Sequence, residues 1–169
     1  MDLELIIISL VLVASVFVPF FIIDFSGKSG IKQMRKSFKL ELGKNNIILT
    51  EQENWGNTFI GIDKEQKKML YMKFLVAQPT IHLIELSKIQ ACEIDNKVAT
   101  VKTKIKKENI LQNLNLKLSP IDTSNPEVIL NFYDSEEIYA EDFEMARAEK
   151  WNTIIKENSN TKSSGKKAA

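Results

Sequence analysis

The chain has 169 residues, with 23 Lys and Arg against 22 Asp and Glu, one Cys and one His. That Cys and His content excludes a disulfide-stapled scaffold and the usual Cys/His zinc clusters. The near-neutral charge, with aromatic residues scarce among the bases, argues against a nucleic-acid partner.

A mean hydropathy of −0.15 conceals a segregation of charge. Every Lys and Arg lies after Ile23, and of the acids only Asp2 and Glu4 precede it. Leu5 to Ile23 is an uncharged run of 19 residues, with Ser9, Ser15 and Pro19 as its polar or helix-breaking members. As a helix it would extend roughly 28 Å, close to the thickness of a bilayer core. It does not resemble a cleaved signal peptide, which would start with bases and end in small residues. The run therefore predicts an N-terminal transmembrane helix, with the lipid bilayer as a partner through Leu5–Ile23. Lys28, Lys32, Arg35, Lys36, Lys39 and Lys44 follow it and no base precedes it. The positive-inside rule then predicts a single-pass inner-membrane protein, N-terminus outside and C-terminal domain in the cytoplasm.

Residues 24–44 read as a basic juxtamembrane connector. Ile31, Met34, Phe38 and Leu42 recur at helical spacing with bases between them, and Gly43 is the expected stop. Lys28, Lys32, Arg35, Lys36 and Lys39 are the candidate residues for contact with an anionic membrane surface.

From Ile47 the period shortens. Strands are predicted at Ile47–Leu49, Trp55–Ile62, Met69–Val76, Thr80–Leu86, Ile89–Ile94, Val98–Ile105, Leu111–Leu118 and Val128–Tyr133, with turns at Asp63–Lys68 and Asp95–Asn96. A helix follows, capped by Asp134 or Ser135. Its acids come first and its bases later, and Tyr139, Phe143, Ala146, Trp151 and Ile154 form one face. Asn158 to Ala169 is polar and reads as a disordered tail.

The expected fold is thus one transmembrane helix plus an α+β, mainly β, domain. That domain is an antiparallel sheet or partly open barrel of about seven strands capped by a C-terminal helix. The expected domains are 1–23 (anchor), 24–44 (connector), 45–157 (β domain) and 158–169 (tail).

No catalytic, cofactor-binding or metal-binding residue is predicted. Ser26-Gly27-Lys28-Ser29 contains the GKS of a phosphate loop, but Ile22 stands where that motif needs its first Gly. His82 lacks companion ligands, and Cys92 is flanked by the acidic Glu93 and reads as a small core residue. The acids between Glu136 and Glu144 include no central Gly of a calcium loop and read as a solvated helix face. Lys97, Lys102, Lys104, Lys106 and Lys107 form a second basic stretch without acids. It reads either as a membrane-facing edge or as an edge strand guarded by lysines. Trp55, Lys102, Lys104, Lys106 and Lys107 are the candidate partner or membrane contacts.

EVILNFYD followed by Glu136–Glu157, with Trp151 and then Ile154 and Ile155, resembles the last strand and helix of pleckstrin-homology-like (PH/GRAM-type) domains. Gly61–Met72 followed by Ile81–Ile94 resembles the hairpin and strand-turn-strand of bacterial members. The resemblance covers about Ile47 to Asn158. It implies a binding module for lipid headgroups, peptides or proteins, a class that is rarely enzymatic. Leu49–Trp55, where lipid-binding members carry bases, holds Glu51 and Glu53 instead. The expected function is a membrane-tethered interaction or scaffold module with a protein partner. The alternatives are a small accessory subunit of a membrane complex, or a binder of anionic lipid headgroups.

Overall fold

The computed structural model describes residues 12–13, 15–17, 32–75, 79–102, 107–137 and 143–160. The chain divides into two compact units, 1–46 and 47–169.

In the first unit, residues 12–13 and 15–17 are helical, and residues 32–44 form helix α1. Among the described residues no helix is long and apolar enough to cross a membrane. This corrects the expected transmembrane helix over Leu5–Ile23, and with it the single-pass inner-membrane placement and its cytoplasmic domain. A crossing needs a helix of about 20 residues, and of Leu5–Ile23 only residues 12–13 and 15–17 are among those described; the rest of that run lies outside them. Within α1, Lys32, Arg35, Lys36 and Lys39 are exposed. The helix does not stop at Gly43. It runs to residue 44, and the left-handed residue beyond it is Asn46, with φ 52°. Asn45 closes this end by donating from its side chain to the Glu41 carbonyl at 2.8 Å.

The second unit is mostly β. Its strands are β1 (Glu51–Trp55), β2 (Thr58–Asp63), β3 (Lys68–Phe74), β4 (Pro79–Glu85), β5 (Ile89–Lys102), β6 (Lys107–Pro120) and β7 (Val128–Asp134), followed by helix α2 (Glu144–Asn158). A 3-10 turn, Leu86–Lys88, joins β4 to β5. Two antiparallel sheets result, β1-β2-β3-β4 and β5-β6-β7.

Several boundaries differ from the sequence expectation. The predicted strand Trp55–Ile62 is broken by a two-residue turn at Gly56-Asn57, where Gly56 takes φ 46°. A Cβ would oppose that backbone, so the glycine fits the turn. Ile47–Leu49 forms no strand. Asp95-Asn96, expected as a turn, lies within the 14-residue β5. Asp95 is paired there with Asn115 in register, and its carboxylate meets Lys117 Nζ at 2.9 Å. The described helix begins at Glu144 behind a left-handed Phe143 that makes no side-chain cap. Asp134 instead closes a turn, its carboxylate accepting the Glu136 N–H at 3.0 Å. Residues 138–142, and with them Tyr139, lie outside the described residues.

The core follows from alternation. On β6, Leu114, Leu116 and Leu118 point inward while Asn113, Asn115 and Lys117 alternate with them. Ile60, Ile62, Met69, Tyr71 and Ile84 of the first sheet join the same buried cluster, as do Ala148, Trp151, Ile154 and Ile155 of α2. Each such aliphatic side chain contributes about 1.5–3 kcal/mol of burial free energy. The buried residues of α2 are Glu144, Ala148, Trp151, Ile154 and Ile155. The predicted face is displaced, since Phe143 and Ala146 are exposed.

Two bonds from side chains of the first sheet to backbone carbonyls of β7, the edge strand of its sheet, join the sheets. Trp55 Nε1 donates to the Phe132 carbonyl at 3.2 Å, and the Tyr71 hydroxyl donates to the Asn131 carbonyl at 2.6 Å. The β6–β7 register shifts between Leu114 and Asn115, and consecutive Phe132 and Tyr133 are both buried. A bulge of this kind permits two neighbours to face the same side. Burial pushes the Tyr71 phenol well above its ordinary range, so it stays a donor at any working pH. Tyr71→Phe is expected to cost about 1–2 kcal/mol by leaving the Asn131 carbonyl short of a donor. A urea unfolding curve reads the loss, and an unchanged midpoint would show that the hydroxyl does not tie the sheets.

Candidate functional site: a polar groove across β6 and β7

The alternation that buries the leucines of β6 places its asparagines on the opposite face. Asn115 is paired with Asn131 of β7, and Asn113 with Asp134. Their side chains connect in one direction. Lys73 Nζ donates to Asn131 Oδ1. Asn131 Nδ2 donates to Asn115 Oδ1 at 2.9 Å, and Asn115 Nδ2 donates to Asn113 Oδ1. Asn113 Nδ2 donates to Asp134 Oδ2 at 3.1 Å. The chain therefore runs from a cation, through three amides, to a carboxylate. Amide dipoles aligned head to tail polarise one another and strengthen each bond in the series.

Two cavities open along this chain and share Asp134. One, of about 450 Å³, is lined by Lys97, Gln112, Asn113, Asn115, Asp134, Ser135 and Glu136. The other, of about 260 Å³, is bounded by Tyr71, Lys73, Leu75, Thr80, Ile129, Asn131, Asp134 and Glu137. Asn131 spends both of its N–H groups, on Asn115 Oδ1 and on the Tyr133 carbonyl at 3.1 Å, and Asn115 also faces the Asp95 carboxylate, so the remaining capacity of the row lies mainly in the second lone pair of each amide oxygen.

The groups suited to covalent chemistry lie elsewhere. Cys92 is buried, and burial is the main reason its thiol is pushed up to about 12. A thiol so protonated is a poor nucleophile. His82 is half-buried on β4, and burial lowers its pKa. Its ring stands 6.0 Å from that of Tyr71. Among the described residues no group of three or more His, Cys, Asp or Glu is placed to hold a metal ion.

The residues predicted as contacts are not brought together here. Lys32, Arg35, Lys36 and Lys39 belong to α1 of the first unit, and Lys28 lies outside the described residues. Trp55 is a core residue, its ring 4.9 Å from that of Phe132. Lys102 and Lys107 are paired at the tip of the β5–β6 hairpin, and Lys104 and Lys106 lie outside the described residues. The sequence did carry a trace of the groove. Asn113 and Asn115 alternate with leucines, and Lys73 interrupts an otherwise apolar strand.

No protein-family model matches the chain, and no curated protein or solved structure matches it significantly.

Proposed function

We propose that the second unit is a binding module that takes an extended segment of a protein partner along the polar groove. One observation carries this: a hydrogen-bonded ladder of Asn131, Asn115 and Asn113 lies along two adjoining cavities. Side-chain amides present the same donor and acceptor pattern as a peptide backbone, so a row of them suits an extended chain. Neither the Cys92 thiol nor the His82 imidazole lines either cavity, which favours binding over catalysis. A pleckstrin-homology-like architecture belongs to the same proposal. It is supported by the four-stranded and three-stranded antiparallel sheets and by the C-terminal helix with Trp151, Ile154 and Ile155 buried.

Selection from a random peptide library against the full chain tests it. The expected result is a consensus whose binding shifts the side-chain amide resonances of Asn113, Asn115 and Asn131, and weakens at least tenfold (about 1.4 kcal/mol) in the Asn113→Ala/Asn115→Ala variant. A selection without a consensus, or one whose peptides shift other resonances, would overturn the proposal.

A further inference from the structure

The smaller cavity contains an unusual ion pair. Lys73 lies on β3, and its side chain is only 7% exposed. An ammonium group so far from water is costly unless it is paired and hydrogen-bonded. Its partners are Asn131 Oδ1 and Glu137 Oε2, the latter at 2.6 Å. The two charges are held very differently. The cation projects from a strand paired on both sides, by β2 and by β4. The anion comes from a surface turn and is 35% exposed. That turn hangs on Asp134, whose carbonyl accepts the Glu137 N–H at 3.1 Å and whose carboxylate accepts that of Glu136.

We propose that Lys73 is the recognition point for a carboxylate side chain of the bound peptide, and that Glu137 occupies its place in the free protein. The inference rests on the groove being a peptide site, and it names the chemistry read there. Glu137 is itself the template for the occupant: the cavity already receives a carboxylate on a two-methylene stem. Thr80, Tyr71, Leu75 and Ile129 line the same cavity, so it offers both polar and apolar surface to such a side chain. Lys73 needs an anion in either state, so an incoming carboxylate exchanges for Glu137 with no net loss of a buried pair. Displacing Glu137 costs little, because its carboxylate already reaches solvent.

The free-state carboxylate therefore competes with ligand, and weakening it should raise affinity. The full-length protein is compared with its Glu137→Gln and Lys73→Met variants, using N-acetyl-glutamate methylamide, acetate, inorganic phosphate and chloride at fixed ionic strength. In chloride, Glu137→Gln should melt below the parent. The glutamate derivative should restore its melting temperature, and should bind it at least tenfold more tightly than it binds the parent. Lys73→Met should show no response to any of these anions. Glu137→Asp, which keeps the charge but retracts it by one methylene, should show the same rescue in smaller measure and serves if the Gln variant does not fold. Equal effects of chloride and carboxylate would overturn the inference, as would phosphate outperforming carboxylate, or acetate matching the glutamate derivative, which would mark a site for small free anions. A library consensus that lacks an acidic residue and binds Lys73→Met normally would overturn it while leaving the groove as a peptide site. Carboxylate rescue without any consensus would support Lys73 as an anion site and remove the peptide groove.

Discussion

Truncating Trp151 to alanine is expected to destabilise the second unit by about 3–5 kcal/mol, the range for removing a fully buried large aromatic. Trp151 is completely buried and is the largest of the fully buried side chains. It projects from α2, which packs against β5, β6 and β7. Its loss leaves a void that the surrounding leucines cannot fill without leaving their rotamers. The indole also has a polar task, donating from Nε1 to Glu53 Oε2 at 2.9 Å. Trp151→Phe separates the two contributions. It keeps most of the packing and loses the donor, for an expected cost of about 1–2 kcal/mol. Urea unfolding followed by circular dichroism measures both. A cost below about 1 kcal/mol for Trp151→Ala would mean that α2 is not part of the cooperative core.

Replacing Glu53 with alanine should cost about 1–3 kcal/mol, discounted because its carboxylate is partly open to water. This side chain on β1 receives three donors from α2: Arg147 Nε at 2.9 Å, Lys150 Nζ at 3.0 Å and Trp151 Nε1. Arg147 also lies over the Trp55 ring, 4.8 Å from its centroid. The helix that rests on one sheet is thereby bound to the outermost strand of the other. Burial pulls the Glu53 pKa upward, but the bonds from Arg147, Lys150 and Trp151 outweigh it and hold the group below its ordinary 4.5. A carboxylate whose pKa is lowered by folding stabilises the fold fully above its unfolded pKa. That contribution disappears as pH falls through the lower, folded value. The parent should therefore lose stability on acidification below about pH 4.5 more steeply than Glu53→Gln does. Parallel pH profiles for the two proteins would show that the carboxylate is not tied to the helix.

Local chemistry made some of this readable in advance and left other parts hidden. The polar stretch between Asp63 and Lys68 is a turn because its Asp63 carboxylate accepts the Gln66 N–H at 2.9 Å, a short-range device visible as a pattern of residues. The burial of Trp151 and Ile154 is likewise a matter of helical spacing. Asp95-Asn96 misled because what keeps these residues extended is the partner strand, with Lys117 opposite a neighbouring position, and no local signal records that. Gly56-Asn57 was concealed within a run of strand formers on both sides. The start of α2 was misplaced because Asp134, a good cap by type, is spent on a turn. The membrane helix was inferred from the length of an uncharged apolar run and its unlikeness to a cleaved signal peptide. The groove was the least accessible. Lys73 and Asn131 are 58 residues apart, and only the meeting of two sheets makes a site of them.

The clasp between Glu53 and Trp151 also has a consequence in time. Its two halves are 98 residues apart, near opposite ends of the second unit. During synthesis β1 emerges early, yet nothing can hold its carboxylate until α2 has been made. The first sheet must therefore wait, incompletely closed, through most of the translation of this unit. Chain elongation proceeds at about 5–20 residues per second, so the interval is about 5–20 s. Over that period the nascent hairpins depend on their own short-range pairing, and closure of the second unit waits for α2.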